Sequence, residues 1–146
     1  MWNDAQLVDL NGDGAPDLVE IKKGSAQVRF QQNGVFQKAV KLATLTAGVS
    51  LATGDVNGDG FRDVYLVQGC PAGTATNVPD VMLLNNGNGT FKQILTPQAT
   101  SGCGDVASTI DYNGDGRADF LVLNGFGSFN NQWVSGPLQL LTFSSS

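Results

Sequence analysis

Histidine is absent from these 146 residues. The commonest general base and the commonest transition-metal ligand go with it, so a His-based triad or a His-containing zinc site within this chain is excluded. No apolar run reaches 18 residues, so no transmembrane helix is expected. The first residues, Met1-Trp2-Asn3-Asp4, lack the charged and apolar regions of a signal peptide. The chain is therefore expected to be either cytosolic or a mature or excised segment. Basic residues are few, eight in all, and scattered, which argues against nucleic acid as a partner. Long helix-forming runs are missing too, whereas glycine is plentiful at 19 residues. That balance favours strands and turns.

Acid is present but confined. Of 13 acidic residues, nine are Asp residues of one motif, D-x-N-G-D-G-x-x-D, which occurs three times. The copies run from Asp9 to Asp17, Asp55 to Asp63 and Asp111 to Asp119. Oxygen-bearing side chains stand at positions 1, 3, 5 and 9, which is the ligand set of a calcium loop, with a backbone carbonyl at position 7. The expected ligands are Asp9, Asn11, Asp13, Ala15 (carbonyl) and Asp17; Asp55, Asn57, Asp59, Phe61 (carbonyl) and Asp63; and Asp111, Asn113, Asp115, Arg117 (carbonyl) and Asp119. Glycine at positions 4 and 6 permits the tight turn that aims those oxygens inward. About three Ca²⁺ ions are expected. Three such ions would change the formal net charge from -5 to +1, so no acidic interaction face need be invoked. An EF-hand is the rival reading, and Glu20 does occupy its twelfth position in the first loop. The other two loops have Leu66 and Val122 there, and the flanks read as strands.

Each loop leads at once into an apolar strand, followed by turn signals such as Asn33-Gly34 and Asn86-Gly87. In the first unit Ala26 to Phe30 alternates as a half-buried strand, Val35 to Val40 is expected to return, and Thr44 to Val49 to link. The second unit has strands from Asp63 to Val67, Asp80 to Leu84 and Phe91 to Leu95, with an insertion from Gly69 to Pro79. The third runs from Val106 to Ile110 and from Leu121 to Leu123. Asn124 to Gly136 is read as another insertion, and Pro137 to Phe143 as a third strand. Loop starts at 9, 55 and 111 give periods of 46 and 56, the spacing of β-propeller blades. The expected fold is all-β, a partial β-propeller of about three four-stranded antiparallel blades, each with its calcium loop. Residues 1–146 form a single propeller-like segment, with units at about 5–49, 50–105 and 106–146, the last incomplete.

These residues resemble the FG-GAP/VCBS repeat family, the integrin-alpha-like calcium-binding propeller blades. The likeness rests on the D-x-N-G-D-G-x-x-D loop before an apolar strand. It rests also on Leu83-Leu84-Asn85-Asn86-Gly87-Asn88-Gly89-Thr90-Phe91, which is similar to that family's L-L-N-N-G-x-G-T-F hairpin. The resemblance covers nearly the whole chain and implies a calcium-stabilised binding or assembly module. The implied partner is a protein or carbohydrate ligand, or further blades or copies of the chain itself. The rival is a non-catalytic fragment of a propeller enzyme acting on polysaccharide. With no His, no paired carboxylates outside the loops and no nucleophile beside a base, no enzyme activity is expected.

Cys70 and Cys103 could form a disulfide or remain as two thiols, and the bond is favoured because millimolar calcium points outside the cell. An extracellular, secreted or cell-surface setting is therefore expected. Asn88-Gly89-Thr90 is a formal glycosylation sequon, although the family uses this turn in any case. Phe126, Phe129 and Trp133 share one Gly/Asn-rich insertion and are candidate ligand contacts, with core packing the alternative.

Overall fold

A computed structural model describes residues 4–71, 78–94, 103–129, 132–135 and 138–143. All regular elements among them are strands. No helix of the described residues is long and apolar enough to cross a membrane.

Three antiparallel sheets follow the three sequence units. Blade 1 contains β1 (Asp4–Val8), β2 (Asp17–Lys22), β3 (Ser25–Arg29) and β6 (Val40–Thr44), hydrogen-bonded in that order. Between β3 and β6 stands a two-residue-strand hairpin, β4 (Gln31–Gln32) and β5 (Val35–Phe36). Blade 2 contains β7 (Gly48–Gly54), β8 (Asp63–Gln68), β9 (Val81–Asn85) and β10 (Phe91–Ile94). Blade 3 contains β11 (Gly104–Ile110), β12 (Asp119–Asn124) and β15 (Leu138–Leu141), three strands among the described residues. A separate hairpin pairs β13 (Phe126–Phe129) with β14 (Gln132–Ser135). Every D-x-N-G-D-G-x-x-D loop connects the first and second strands of its blade. The result is all-β and propeller-like.

Two expectations need correction. The outer strand of blade 1 is Val40–Thr44, where Val35 to Val40 was expected to return and the chain from Thr44 to link. Its burial leaves only Ala43 fully covered, so the strand carries little apolar alternation to announce it. The stretch from Asn124 to Gly136 contains the β13–β14 hairpin, which its glycine and asparagine content concealed.

The blades stack face to face, so a strand residue faces one neighbour and the next residue faces the other. Val19, Ile21, Ala26 and Val28 of blade 1 meet Leu51, Val64, Leu66 and Leu83 of blade 2 in one buried core. Tyr65, Val67 and Met82, on the opposite face of blade 2, meet Ala107, Phe120, Val122 and Leu141 of blade 3 in a second. Tyr65 and Phe120 stack with ring centroids 5.2 Å apart across that junction. Because β8 is buried on both faces, its sequence Asp63–Gln68 shows a continuous apolar run with no alternation.

First strands lie side by side around the interior. Thr109 donates its hydroxyl to the carbonyl of Thr53, Thr53 donates to Gln6 Oε1, and Gln6 Nε2 donates to the carbonyl of Leu51. The Asp4 carboxylate accepts from the Ser50 hydroxyl and the Leu51 amide. Gly54 permits this approach, since a Cβ there would stand 2.3 Å from that of Ala118. A disulfide joins Cys70, after β8, to Cys103, before β11, with Cα atoms 4.9 Å apart, and so ties blade 2 to blade 3.

Candidate functional site

The three loops share one hydrogen-bond pattern. The position-1 carboxylate accepts the amides of positions 4 and 6 on its two oxygens: 2.7 and 2.8 Å at Asp9, 2.7 and 2.8 Å at Asp55, 2.8 and 2.9 Å at Asp111. Asn at position 3 accepts the position-5 amide and donates its Nδ2 to the position-5 carboxylate. Asp13, Asp59 and Asp115 each accept the amide of position 7. Glycines 12, 14, 58, 60, 114 and 116 all adopt positive φ, as these nested turns require.

Position 9 is different. Asp17, Asp63 and Asp119 are each 0 % exposed. One oxygen accepts the position-2 amide, from Leu10, Val56 and Tyr112 respectively. The other accepts an amide at the end of the third strand, from Gln31 just beyond β3 in blade 1 and Asn85 closing β9 in blade 2. In blade 3 the register of β12 with β15 puts Phe143 at the corresponding place, and Asp119 Oδ1 has no hydrogen-bond partner among the described residues. So position 9 clamps the loop's entry and the third strand to the core. Burial pushes the Asp63 carboxyl up to about 6, with the Asn85 and Val56 amides pulling the other way.

The side chains at positions 1, 3 and 5 present hard oxygens at the surface or close below it, which suits calcium in kind. At position 9 the carboxylates accept backbone amides, and Asp63 lies close enough to Asp55 and Asp59 for their charges to raise it. Among the described residues no three His, Cys, Asp or Glu side chains gather as a metal site. The carbonyl-bearing residues Ala15, Phe61 and Arg117 stand at the exit of each turn.

Position 7 has a second task that the sequence did not announce. The Phe61 ring lies over Gly12 of the preceding loop and against Gly87, where a Cβ would be 2.4 Å from it. Arg117 lies over Gly58 in the same way, its Nε 3.2 Å from where a Cβ would be. Ala118 then donates its amide to the Asp55 carbonyl at 2.8 Å. Asn85 adds another link, donating to the carbonyls of Leu10 and Arg62. The loops thus form a staircase along one rim.

A profile of the FG-GAP-like repeat matches residues 9–66 and 72–122. The chain belongs to the FG-GAP-like repeat family. No curated protein matches it significantly. Among solved structures, an Agrocybe aegerita lectin described as specifically recognising non-reducing terminal N-acetylglucosamine has the same fold. The TM-score is 0.58 at 24 % identity, over 97 % of this chain and 38 % of that one. The FG-GAP chain therefore spans well under half the length of that lectin.

Other expected sites fall as follows. Cys70 and Cys103 are paired. Asn88 is exposed, its Oδ1 accepting from the amide and hydroxyl of Thr90 in the blade 2 turn. Phe126, Phe129 and Trp133 belong to the β13–β14 hairpin, where Ser128 pairs with Trp133 and Phe129 with Gln132. The surroundings of those side chains, and residues 72–77 of the other insertion, lie outside the described residues. Asp80, expected to open the third strand of the second unit, is a buried centre just before β9. It accepts the Tyr65 hydroxyl and the Gln68 amide, both at 2.6 Å. Burial raises Asp80 to about 6, against those two bonds, and also pushes Tyr65 upwards. The pairing of β8 with β9 brings Asp80 to the Tyr65 hydroxyl and the Gln68 backbone amide.

Proposed function

We propose that this chain is a non-catalytic recognition module that binds carbohydrate on a rigid stack of calcium-stabilised blades, outside the cell. The observation that carries the reading is the likeness in fold, along nearly the whole chain, to a lectin described as recognising terminal N-acetylglucosamine. The buried polar groups fit that role, since Asp17, Asp63, Asp80 and Gln68 are engaged in holding backbone amides. A disulfide between blades suits an oxidising compartment. A glycan array, followed by calorimetry with N-acetylglucosamine oligosaccharides, tests the reading. Saturable binding without release of sugar fragments is expected. No binding across the array overturns it, and turnover would favour the polysaccharide-enzyme alternative.

Calcium enters as part of the same proposal. Asp9, Asn11 and Asp13, with their counterparts in the other loops, would hold the ion together with the carbonyls of position 7. Asp17, Asp63 and Asp119 at position 9 would complete the set from the core side while bracing each turn. The ion would offset the charge of the clustered carboxylates. At millimolar calcium and affinities of about 0.1–1 mM, each site would contribute roughly 0.5–1.5 kcal/mol. A chelator is expected to lower the melting temperature by several degrees, and an unchanged melting curve overturns the calcium reading. The association of blades or copies is a second reading, favoured by the uncovered face of blade 3.

A further inference from the structure

Asparagine before glycine is open to loss of its side-chain amide, because glycine has no side chain to keep its backbone nitrogen away from the asparagine carbonyl carbon. This chain carries the pair seven times, beginning at Asn11, Asn33, Asn57, Asn86, Asn88, Asn113 and Asn124. The nucleophile is the glycine N–H, and a nitrogen held in a hydrogen bond is not free to turn on that carbon. In the three acidic loops Gly12, Gly58 and Gly114 donate to the position-1 carboxylates at 2.7, 2.7 and 2.8 Å. Gly34 donates to Gln31 Oε1, Gly87 to Asn85 Oδ1 and Gly125 to the Cys103 carbonyl. Only the Gly89 amide has no hydrogen-bond partner among the described residues.

The rest of Asn88 is arranged for the same reaction. Its side chain is exposed. Its Oδ1 accepts the Thr90 amide at 3.1 Å and the Thr90 hydroxyl at 2.6 Å, so the carbonyl that must take up negative charge already faces two donors. That hydroxyl is itself polarised, since it accepts Asn86 Nδ2 at 2.9 Å. Asn88 Nδ2, the group that must leave, makes no hydrogen bond among the described residues. In the acidic loops the corresponding nitrogens of Asn11, Asn57 and Asn113 are tied to the position-5 carboxylates.

We propose that Asn88 is a self-modifying site, converting to aspartate and isoaspartate in the folded chain while the other Asn-Gly pairs keep their amides. The Gly89 nitrogen attacks Asn88 Cγ and closes a five-membered succinimide. The Cγ–Nδ2 bond breaks, and ammonia leaves with the proton that the Gly89 amide has lost. Water then opens the ring at either carbonyl, so that one carboxylate replaces one neutral amide and nothing is oxidised or reduced. Opening at the backbone carbonyl gives isoaspartate, which adds one atom to the main chain between Gly87 and Gly89. Those glycines are seated against the rings of Phe61 and Phe30, so the added atom falls at the rim where blades 1 and 2 meet. The inference goes beyond the glycan and calcium readings and requires neither.

Peptide mapping of the intact, disulfide-bonded chain after prolonged incubation at body temperature and mildly alkaline pH tests this. The chain is made in a host that leaves Asn88 without sugar, since a glycan on Nδ2 would change the leaving group. Exchange of amide for acid, with isoaspartate labelled by a repair methyltransferase, is expected at Asn88 about tenfold faster than at any other pair, the factor that one hydrogen bond on the nucleophile imposes. In the reduced chain in urea the seven pairs should react at comparable rates. Thr90→Val, at an exposed position, should slow the native reaction about two- to tenfold with the far-ultraviolet spectrum unchanged. No amide loss at Asn88, loss spread evenly over the native chain's pairs, or faster loss at another pair overturns the proposal. A Thr90→Val rate at or above that of the wild type overturns the role given to the hydroxyl.

Discussion

At the scale of single residues, one residue type performs two tasks in the same motif. Asp at positions 1 and 5 shapes an exposed turn, and Asp at position 9 is a buried clamp between that turn and the third strand. The clamp holds two amides in blade 1, from Leu10 and Gln31, and one in blade 3, from Tyr112. Leaving a buried amide without an acceptor costs about 1–3 kcal/mol. Asp17→Ala is therefore expected to destabilise by about 2–5 kcal/mol, and Asp119→Ala by about half as much. Urea unfolding of the two variants measures the difference. Asp80 gives a pH prediction. Its carboxyl is raised to about 6 by burial, so the folded chain holds a proton that the unfolded chain has released. Stability attributable to Asp80 is present below the ordinary carboxylate range and falls as pH rises from about 4 to about 6. The decline is about 2–3 kcal/mol, flat thereafter. Asp63, also raised to about 6, contributes in the same window, so Asp80→Asn should reduce the slope without abolishing it, and denaturant midpoints at several pH values will show whether it does.

At the scale of elements, the second strands were legible because the loops mark where they begin. The motif predicted β8 to within one residue and the middle of β12, and the alternation in Ala26 to Phe30 predicted β3 offset by one residue. What escaped had a physical reason. Val40–Thr44 is mostly exposed, so it has no inward series to read. The β13–β14 hairpin is built from residues equally suited to an irregular loop. The double duty of position 9 could not be read either, since a carboxylate aimed at a metal and one aimed at two amides are written with the same letter. Junctions between elements depend on small residues that sequence periodicity does not mark. A methyl group on Gly54 would stand 2.3 Å from Ala118 Cβ and 3.0 Å from Thr109 Cγ2. A Cβ cannot rotate away, so Gly54→Ala should push blades 2 and 3 apart at a cost of about 1–3 kcal/mol. Hydrogen exchange should then rise in β11 and β12 before it rises in β2 and β3.

At the scale of the whole molecule, stability is distributed over two junctions, and only the second carries a covalent tie. The Cys70–Cys103 bond closes a loop with a sequence separation of 33, worth roughly 3–4 kcal/mol in the chain-entropy account. Reduction is expected to lower the unfolding free energy by about that amount. It should also uncouple blade 3 from the others, so that thermal unfolding broadens or splits. A single sharp transition at the original temperature after full reduction, verified by thiol titration, would count against a structural role for the bond.

The side chain at loop position 7 reaches back over the glycine of the loop before it, Phe61 over Gly12 and Arg117 over Gly58. Each blade therefore carries an address for its predecessor. Blades whose motifs look interchangeable are not: a chain rebuilt in the order 2, 1, 3 would set Ala15 where Phe61 belongs. Gly58, in the loop that would then precede it, would have only that methyl group where Arg117 now lies. Order along the rim is written in one of the three loop positions that the repeat itself leaves free to vary.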